Sequence, residues 1–159
     1  MTLLSLLVDN HFGVLTKVTG LFSRRGFNIA GLSVGETENP ALSRITIQTE
    51  TDDTRQMCLQ LQKLEDVRRA FPLPEDGTVA RELLLVKVPL GTNPSQYDER
   101  FQTSLQGFEV QTLYQNEEIR ILSFAGGPAQ TAAFLAVLEG FPVIELCRTG
   151  ITAMSAARL

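Results

Sequence analysis

The chain has 159 residues, of which 43% are hydrophobic and 20% are charged, a balance typical of a folded globular protein. Its formal net charge of −4 argues against a nucleic-acid-binding surface, because such a surface requires a basic face. No segment approaches the ~18 apolar residues that cross a bilayer, and the N-terminus lacks the basic region of a signal peptide. We therefore expect a cytoplasmic protein.

The residue types that bind metals or act as nucleophiles are scarce. The two cysteines, Cys58 and Cys147, are far apart in apolar surroundings, so we expect two buried, reduced thiols. The single histidine, His11, has no cysteine near it in the sequence. We therefore predict no metal site and no nucleophile–base pair, and we assign no residue a catalytic role.

The first half of the chain predicts the order βαββαβ. Residues 3–8 are an apolar run typical of a central strand. The helix that follows begins after Gly13 and ends at Gly26. Its apolar stripe has helical spacing and consists of Val14, Leu15, Val18, Leu21 and Phe22. Further strands are predicted at 27–36, 44–50 and 67–71, with a second helix that carries Met57, Cys58, Leu61 and Leu64.

The second half repeats this order, with strands predicted at 82–88, from 107, at 118–124 and at 142–147. Thr92 or Asn93 is predicted to cap the third helix, and residues 129–139 form the fourth. The tail, residues 148–159, has no clear period. We predict an α+β fold of two tandem ferredoxin-like units, with domains at residues 1–75 and 76–159.

The second strand of the first unit is predicted to lie at the edge of its sheet. A βαββαβ unit usually arranges its strands in the order 4-1-3-2. Residues 27–35 contain no charge and no proline, so this edge offers unpaired backbone groups to another strand. A unit of about 75 residues is also marginally stable alone. We therefore predict a homodimer that forms through strand 2.

The loop between the first strand and the first helix predicts a ligand site. Gly13 leaves the first-turn N–H groups open to an anion, Asn10 supplies donors and acceptors, and Asp9 is an acceptor for an ammonium group. We expect this loop to lie close to Asn28 and Ile29 at the start of strand 2. These groups together predict a small α-amino acid as the ligand, although a glycine before a helix is also compatible with a simple turn.

Four motifs in residues 10–44 resemble a known family. They are Asn-x-x-Gly-Val-Leu, Gly-Leu-Phe-Ser-Arg-Arg-Gly-Phe-Asn-Ile, Leu-Ser-Val-Gly and Thr-Glu-Asn-Pro-x-Leu-Ser-Arg. They resemble the N-terminal ACT domain of the small, regulatory subunit of acetolactate synthase, also called acetohydroxyacid synthase. The second half resembles the C-terminal ACT-like domain of that family in its order of elements. Phe12 departs from the family pattern, which usually has a small residue or proline there.

This resemblance implies that the chain activates a catalytic subunit and confers feedback inhibition by valine in branched-chain amino acid biosynthesis. It implies that valine binds between the ACT domains of a homodimer. The implied contacts are Asn10, Gly13, Val14, Leu15, Asn28 and Ile29, with His11 and Phe12 as further candidates. It also implies that thiamine diphosphate, FAD and magnesium belong to the catalytic subunit, so no cofactor is expected in this chain.

Three alternatives are compatible with the same order of elements. A stand-alone amino-acid sensor would have the same ACT fold and act on another partner. An RNA-binding module stacks bases on aromatic residues of strands 1 and 3, and residues 3–8 and 44–50 contain none. A small enzyme of this fold needs a nucleophile–base pair, which the sequence does not offer.

Overall fold

The computed structural model describes residues 2–50, 53–90 and 94–157, which form two compact units. The first unit comprises Met1–Ala80 and Gly150–Leu159, and the second comprises Arg81–Thr149. The elements of the first half are β1 (Thr2–Asp9), α1 (Val14–Arg25), β2 (Ile29–Glu36), β3 (Leu42–Thr49), α2 (Thr54–Leu61) and β4 (Val67–Leu73). The remaining elements are β5 (Thr78–Pro89), α3 (Pro94–Ser104), β6 (Val110–Gln115), β7 (Ile119–Gly126), α4 (Pro128–Leu138), β8 (Glu145–Arg148) and β9 (Thr152–Ser155).

The first sheet has the strand order β2-β3-β1-β4, and every neighbouring pair is antiparallel. The predicted order is therefore confirmed, and β2 is an edge strand that pairs with β3 alone among the described strands. A register shift between Ile29 and Gly31 interrupts the start of β2. The regular part of this edge therefore covers residues 31–36.

One face of the first sheet packs against α1 and α2. The predicted stripe of α1 is largely buried, since Val14, Val18, Leu21 and Phe22 all lie in the core. Leu15 belongs to the same sequence stripe but is 41% exposed. Gly26 ends the helix in the left-handed region, with a φ of 71°, and its N–H donates to the carbonyl of Ser23.

The second sheet has the order β6-β7-β5-β8, which reproduces the order of the first sheet. Its core is rich in phenylalanine rings. Those of Phe124 and Phe134 stack with centroids 4.3 Å apart, and Phe108 meets both of them edge-on. The prediction of two tandem βαββαβ units is therefore confirmed. The predicted caps of α3, Thr92 and Asn93, lie outside the described residues.

The tail forms a strand that the sequence pattern does not indicate. β9 pairs with β5, and the N–H of Ala156 donates to the carbonyl of Gly77 at 2.7 Å. Ile151 and Ala153 are buried against Leu73 and Leu3, on the face of the first sheet that lies opposite the helices. The compact first unit therefore includes the tail, which the predicted division at residue 76 placed in the second domain.

The two cysteines are free thiols in different surroundings. Cys58 is buried as predicted, and its burial raises the pKa of the thiol. The prediction that Cys147 is buried is wrong, because β8 is an edge strand and Cys147 pairs with Leu85, which is itself 36% exposed. None of the described helices combines the length and apolar character needed to cross a membrane.

Candidate functional site

The loop after β1 presents an uncapped helix N-terminus. Gly13 has a φ of 88°, in the left-handed region, and provides no side chain to cap α1. Its carbonyl accepts the N–H of Lys17, which begins the helical ladder. The N–H groups of the first turn have no acceptor within the helix, and this turn contains no acidic residue. This end of α1 can therefore hold an anion such as a carboxylate.

The side-chain amide of Asn10 is held in a defined orientation. Its Nδ2 donates to Glu36 Oε1 at 3.0 Å and to the carbonyl of Pro40 at 2.9 Å. Because both neighbours are acceptors, the amide nitrogen must face them. The Oδ1 atom is then the group that can accept a hydrogen bond from the ammonium of a ligand.

Asp9 is already paired within the chain, which corrects the prediction that it attracts an ammonium. The Nε and Nη2 atoms of Arg68 each donate to its carboxylate at 2.7 Å. This bidentate hydrogen bonding raises the pKa of Arg68. The pair fixes the end of β1 to β4, so Asn10 is better placed than Asp9 to meet a ligand.

Asp66 connects the loop to the start of β4. Its side chain is buried, and its carboxylate accepts a hydrogen bond from Lys17 Nζ at 2.5 Å and faces His11 Nε2 at 3.0 Å. Its backbone carbonyl accepts the N–H of Asp9. The hydrogen bond from Lys17 is the main cause that holds the pKa of Asp66 below its usual range, against the opposing effect of burial. Sequence reasoning missed this residue, because its partners are distant in the chain.

His11 is an exposed loop residue whose two ring nitrogens both have neighbours. Nδ1 lies 3.0 Å from the carbonyl oxygen of Phe12, and Nε2 lies 3.0 Å from Asp66. Both neighbours are acceptors, so both contacts are hydrogen bonds only when the ring carries two protons. These contacts support a role for His11 in stabilising the conformation of the loop between β1 and α1.

Asp9, His11 and Asp66 place potential metal ligands within 4.8 Å of one another. Lys17 and Arg68 form ion pairs with the two carboxylates. Because these cations already compensate the acidic charge, the cluster is explained as an ion-pair network, and we do not assign it to a metal.

Asn28 does not lie beside the Asn10 loop within one chain, which corrects the prediction of proximity. β2 begins at Ile29, which pairs with Thr49, whereas the loop follows Asp9 at the other end of the sheet. The eight residues of β2 separate these two ends by about 23 Å. The reason is that α1 returns the chain to the end of the sheet where β1 begins.

The remaining predicted contacts divide between the core and the surface. Val14 is 4% exposed and Ile29 packs against the same core, so each offers a ligand mainly its backbone. Phe12, at 103%, and Leu15, at 41%, are exposed on either side of Gly13. These two side chains can therefore supply apolar contacts at the loop.

We expect Asp66→Asn to destabilise the first unit and to flatten its stability profile at acidic pH. The pKa of Asp66 is lowered in the folded state. The ionised Asp66 carboxylate therefore makes its full contribution to the free energy of unfolding above the ordinary aspartate pKa of about 3.9. That contribution is lost as the pH falls through the folded-state pKa. Thermal unfolding between pH 7 and pH 3 measures this effect. Asp76→Asn, in an exposed turn, is the matched control, and equal profiles for the two variants would contradict the role of Asp66.

The fold and the loop define the class of this protein. It has two βαββαβ units, and the first is an ACT domain: residues 4–69 match the family model described as the AHAS small subunit-like ACT domain. Residues 81–157 match the model described as the small subunit of acetolactate synthase. The chain therefore belongs to the family of acetolactate synthase small subunits, which are the regulatory and not the catalytic chains.

Similar proteins support this membership along the whole chain. A probable acetolactate synthase small subunit of Methanothermobacter thermautotrophicus is 38% identical over 155 residues, which cover 96% of this chain and 91% of the relative. The isozyme 3 small subunit of Salmonella typhimurium is 37% identical over 157 residues, 96% of this chain and 94% of that one. The crystal structure of the Thermotoga maritima small subunit has a TM-score of 0.85 and 34% identity, with 99% and 98% of the two chains covered.

Proposed function

We propose that this chain is the regulatory subunit of an acetolactate synthase, that it raises the activity of the catalytic subunit and that it confers feedback inhibition by valine. The observation that carries this proposal is the position of Asn10 and Asn28 at opposite ends of an edge strand. The two parts of the family's binding motif are thus too far apart to hold one small ligand in a single chain. A second copy completes the site.

Antiparallel pairing of two β2 strands brings the two parts together. When an edge strand pairs with its own copy about a two-fold axis, the first residues of one strand lie beside the last residues of the other. The partner subunit's Asn28 then approaches Glu36, which already accepts a hydrogen bond from Asn10. Residues 31–35 carry no charge and no proline, and so favour this pairing. Each dimer has two equivalent valine sites.

The groups at the seam between the two β2 strands match the chemistry of valine. The first-turn N–H groups of α1 bind the carboxylate, and the positive end of the helix dipole favours it. Asn10 Oδ1 and the partner subunit's Asn28 bind the ammonium. Leu15 and Phe12 contact the isopropyl group, because both side chains are exposed beside Gly13.

The binding free energy and the coupling free energy that we expect for valine are suitable for a protein that senses the end product of a pathway. A dissociation constant between micromolar and millimolar corresponds to about −8 to −4 kcal/mol. Valine can shift the catalytic subunit only by binding two states of the complex with different affinity. A coupling of about 1–3 kcal/mol changes the relative populations of these states by a factor of about 5 to 150. A ligand at the seam can supply such coupling, because it changes how two rigid units dock.

The alternative is a stand-alone ACT sensor that binds an amino acid and acts on another protein. Membership in the small-subunit family favours acetolactate synthase as the partner. We further propose that thiamine diphosphate, FAD and magnesium are bound by the catalytic subunit and that the complex works in the cytoplasm.

Reconstitution with the catalytic subunit of the same cells tests this function. The purified chain is first used to capture the catalytic subunit, and acetolactate formation is then measured with and without valine, leucine or isoleucine. We expect the chain to raise the rate and valine to reverse that increase at micromolar to millimolar concentration. Binding of an amino acid with no effect on the catalytic subunit would favour the stand-alone sensor.

A further inference from the structure

A cavity of about 370 Å³ lies in the first unit, beside the C-terminal half of β2. Arg44, Thr46, Ser33 and Gly35 contribute to its lining from β2 and β3, and Thr152 and Met154 contribute from β9. The register pairs Gly35 with Arg44, and it places Arg44 on the opposite face of β3 from the buried Ile45. The guanidinium of Arg44 is therefore on the face of the sheet away from α1, although Glu36, which accepts a hydrogen bond from Asn10, also lines the cavity.

Arg44 has an unusual environment for a half-buried cation. Its Nη1 donates to Ser5 Oγ at 2.9 Å, and this serine is 1% exposed. Within residues 2–50, 53–90 and 94–157, Arg44 takes part in no ion pair. Arginines that are withdrawn from water are normally paired with a carboxylate or another anion. The guanidinium also has donors beyond Nη1, in a geometry that matches a carboxylate.

The space beside Arg44 exists because its neighbour on β2 is a glycine. A Cβ built on Gly35 would have no atom within 4 Å, so a side chain there would enter open space. The hydroxyl groups of Ser33 on β2 and Thr152 on β9 lie 3.2 Å apart. These hydroxyls add polar groups to the wall next to the guanidinium.

The charged side chains that line the cavity determine which kind of molecule it can bind. Glu36 and Glu38 also line the cavity, so a simple anion drawn to Arg44 meets two carboxylates. A zwitterion satisfies both signs, with its carboxylate on Arg44 and its ammonium toward the glutamates. Met154, which is 68% exposed, provides an apolar surface nearby. We propose that this cavity is a second α-amino-acid site, with Arg44 as the residue that binds the carboxylate.

All the lining residues belong to one protomer, and those from β2 lie on the edge that the proposed seam uses. The test uses the full-length chain with Gly13→Asp, which removes the first-turn anion site. Thermal unfolding is followed with each of the twenty L-α-amino acids, with isovalerate and with isobutylamine. We expect at least one amino acid to raise the melting temperature of this variant, and we expect isovalerate and isobutylamine to act more weakly.

Two added substitutions separate the cavity from other sites. Arg44→Gln removes the guanidinium, and Gly35→Val fills the space without backbone strain, because Gly35 has no left-handed φ. We expect each to weaken amino-acid binding about tenfold or more, as the loss of a charged hydrogen bond implies. Arg55→Gln, an exposed arginine on α2, is the matched control and should leave binding unchanged.

Three results would overturn the proposal. The first is that no amino acid stabilises the Gly13→Asp variant. The second is that stabilisation persists in both the Arg44→Gln and Gly35→Val variants. The third is that isovalerate acts as strongly as the amino acid, since the rim glutamates would then have no ammonium to bind. Valine binding at the seam is tested separately, in chains that keep both Gly13 and Gly35.

Discussion

Gly13→Asp is expected to abolish valine inhibition of the reconstituted complex while leaving activation in place. Any residue with a Cβ is strained at a φ of 88° by roughly 1–2 kcal/mol. The new aspartate carboxylate would also lie at the helix end that we propose for the carboxylate of valine. The two negative charges would repel each other. The strain lowers stability in the free and the bound state alike, whereas the lost carboxylate contacts and the repulsion weaken valine binding by about 3 kcal/mol, which raises the inhibition constant about a hundredfold.

Gly77→Asp provides the control for strain. Gly77 has a φ of 77°, and a Cβ there would also meet no atom within 4 Å, but it lies in the turn between β4 and β5. The two variants should have similar melting temperatures and similar activation, and only Gly13→Asp should resist valine. Normal inhibition of Gly13→Asp, or loss of activation with inhibition intact, would contradict the assignment of the loop.

Val34→Lys is expected to convert the proposed homodimer into a monomer and to abolish the proposed valine binding. Val34 lies in the regular part of the β2 edge and is 49% exposed. Two-fold pairing would bring two lysine ammonium groups into the seam, where each loses hydration without gaining a counter-charge. The cost is about 3 kcal/mol per dimer, so the dissociation constant of the dimer rises about a hundredfold.

Analytical ultracentrifugation and calorimetry measure these two effects together. The mass should fall from twice 17.5 kDa toward 17.5 kDa, and the heat of valine binding should disappear with the dimer. Val79→Lys is the matched control, because Val79 is 61% exposed and lies on β5, away from the β2 edge. A Val34→Lys monomer that binds valine with normal affinity would contradict the proposal that valine binds at the seam.

The features that sequence reasoning predicted correctly have strong local signals. The apolar stripe of α1 gave the helix and most of its buried face, and Gly26 gave its end. The order βαββαβ was sufficient to predict that β2 lies at the edge of the sheet. These features depend on periodicity and on turn residues, which are visible within a few positions of each other.

The features that sequence reasoning missed depend on contacts between distant residues. The ion pairs of Asp66 join it to Lys17 and His11, and no local pattern marks that carboxylate as the centre of a network. β9 has four residues, which are too few for a clear period, and its pairing with β5 depends on the folded chain.

The separation of Asn10 from Asn28 follows from the order of the elements. The 12 residues of α1 span about 18 Å and carry the chain back along the length of β1. β2 therefore starts at the far end of the sheet. This geometry makes a second copy of the chain a requirement of the proposed valine site, because one protomer holds its two parts apart.

Mixed dimers test that requirement most directly. Gly13→Asp chains and Asn28→His chains, carrying different affinity tags, are co-expressed, and dimers with both tags are titrated with valine by calorimetry. In such a dimer one site combines both substitutions, and the other combines an intact loop with an intact asparagine. We predict one valine per mixed dimer at the affinity of the unsubstituted protein, and none for either substituted homodimer. Mixed dimers that bind no valine, when unsubstituted dimers bind two, would show that each site lies within one chain.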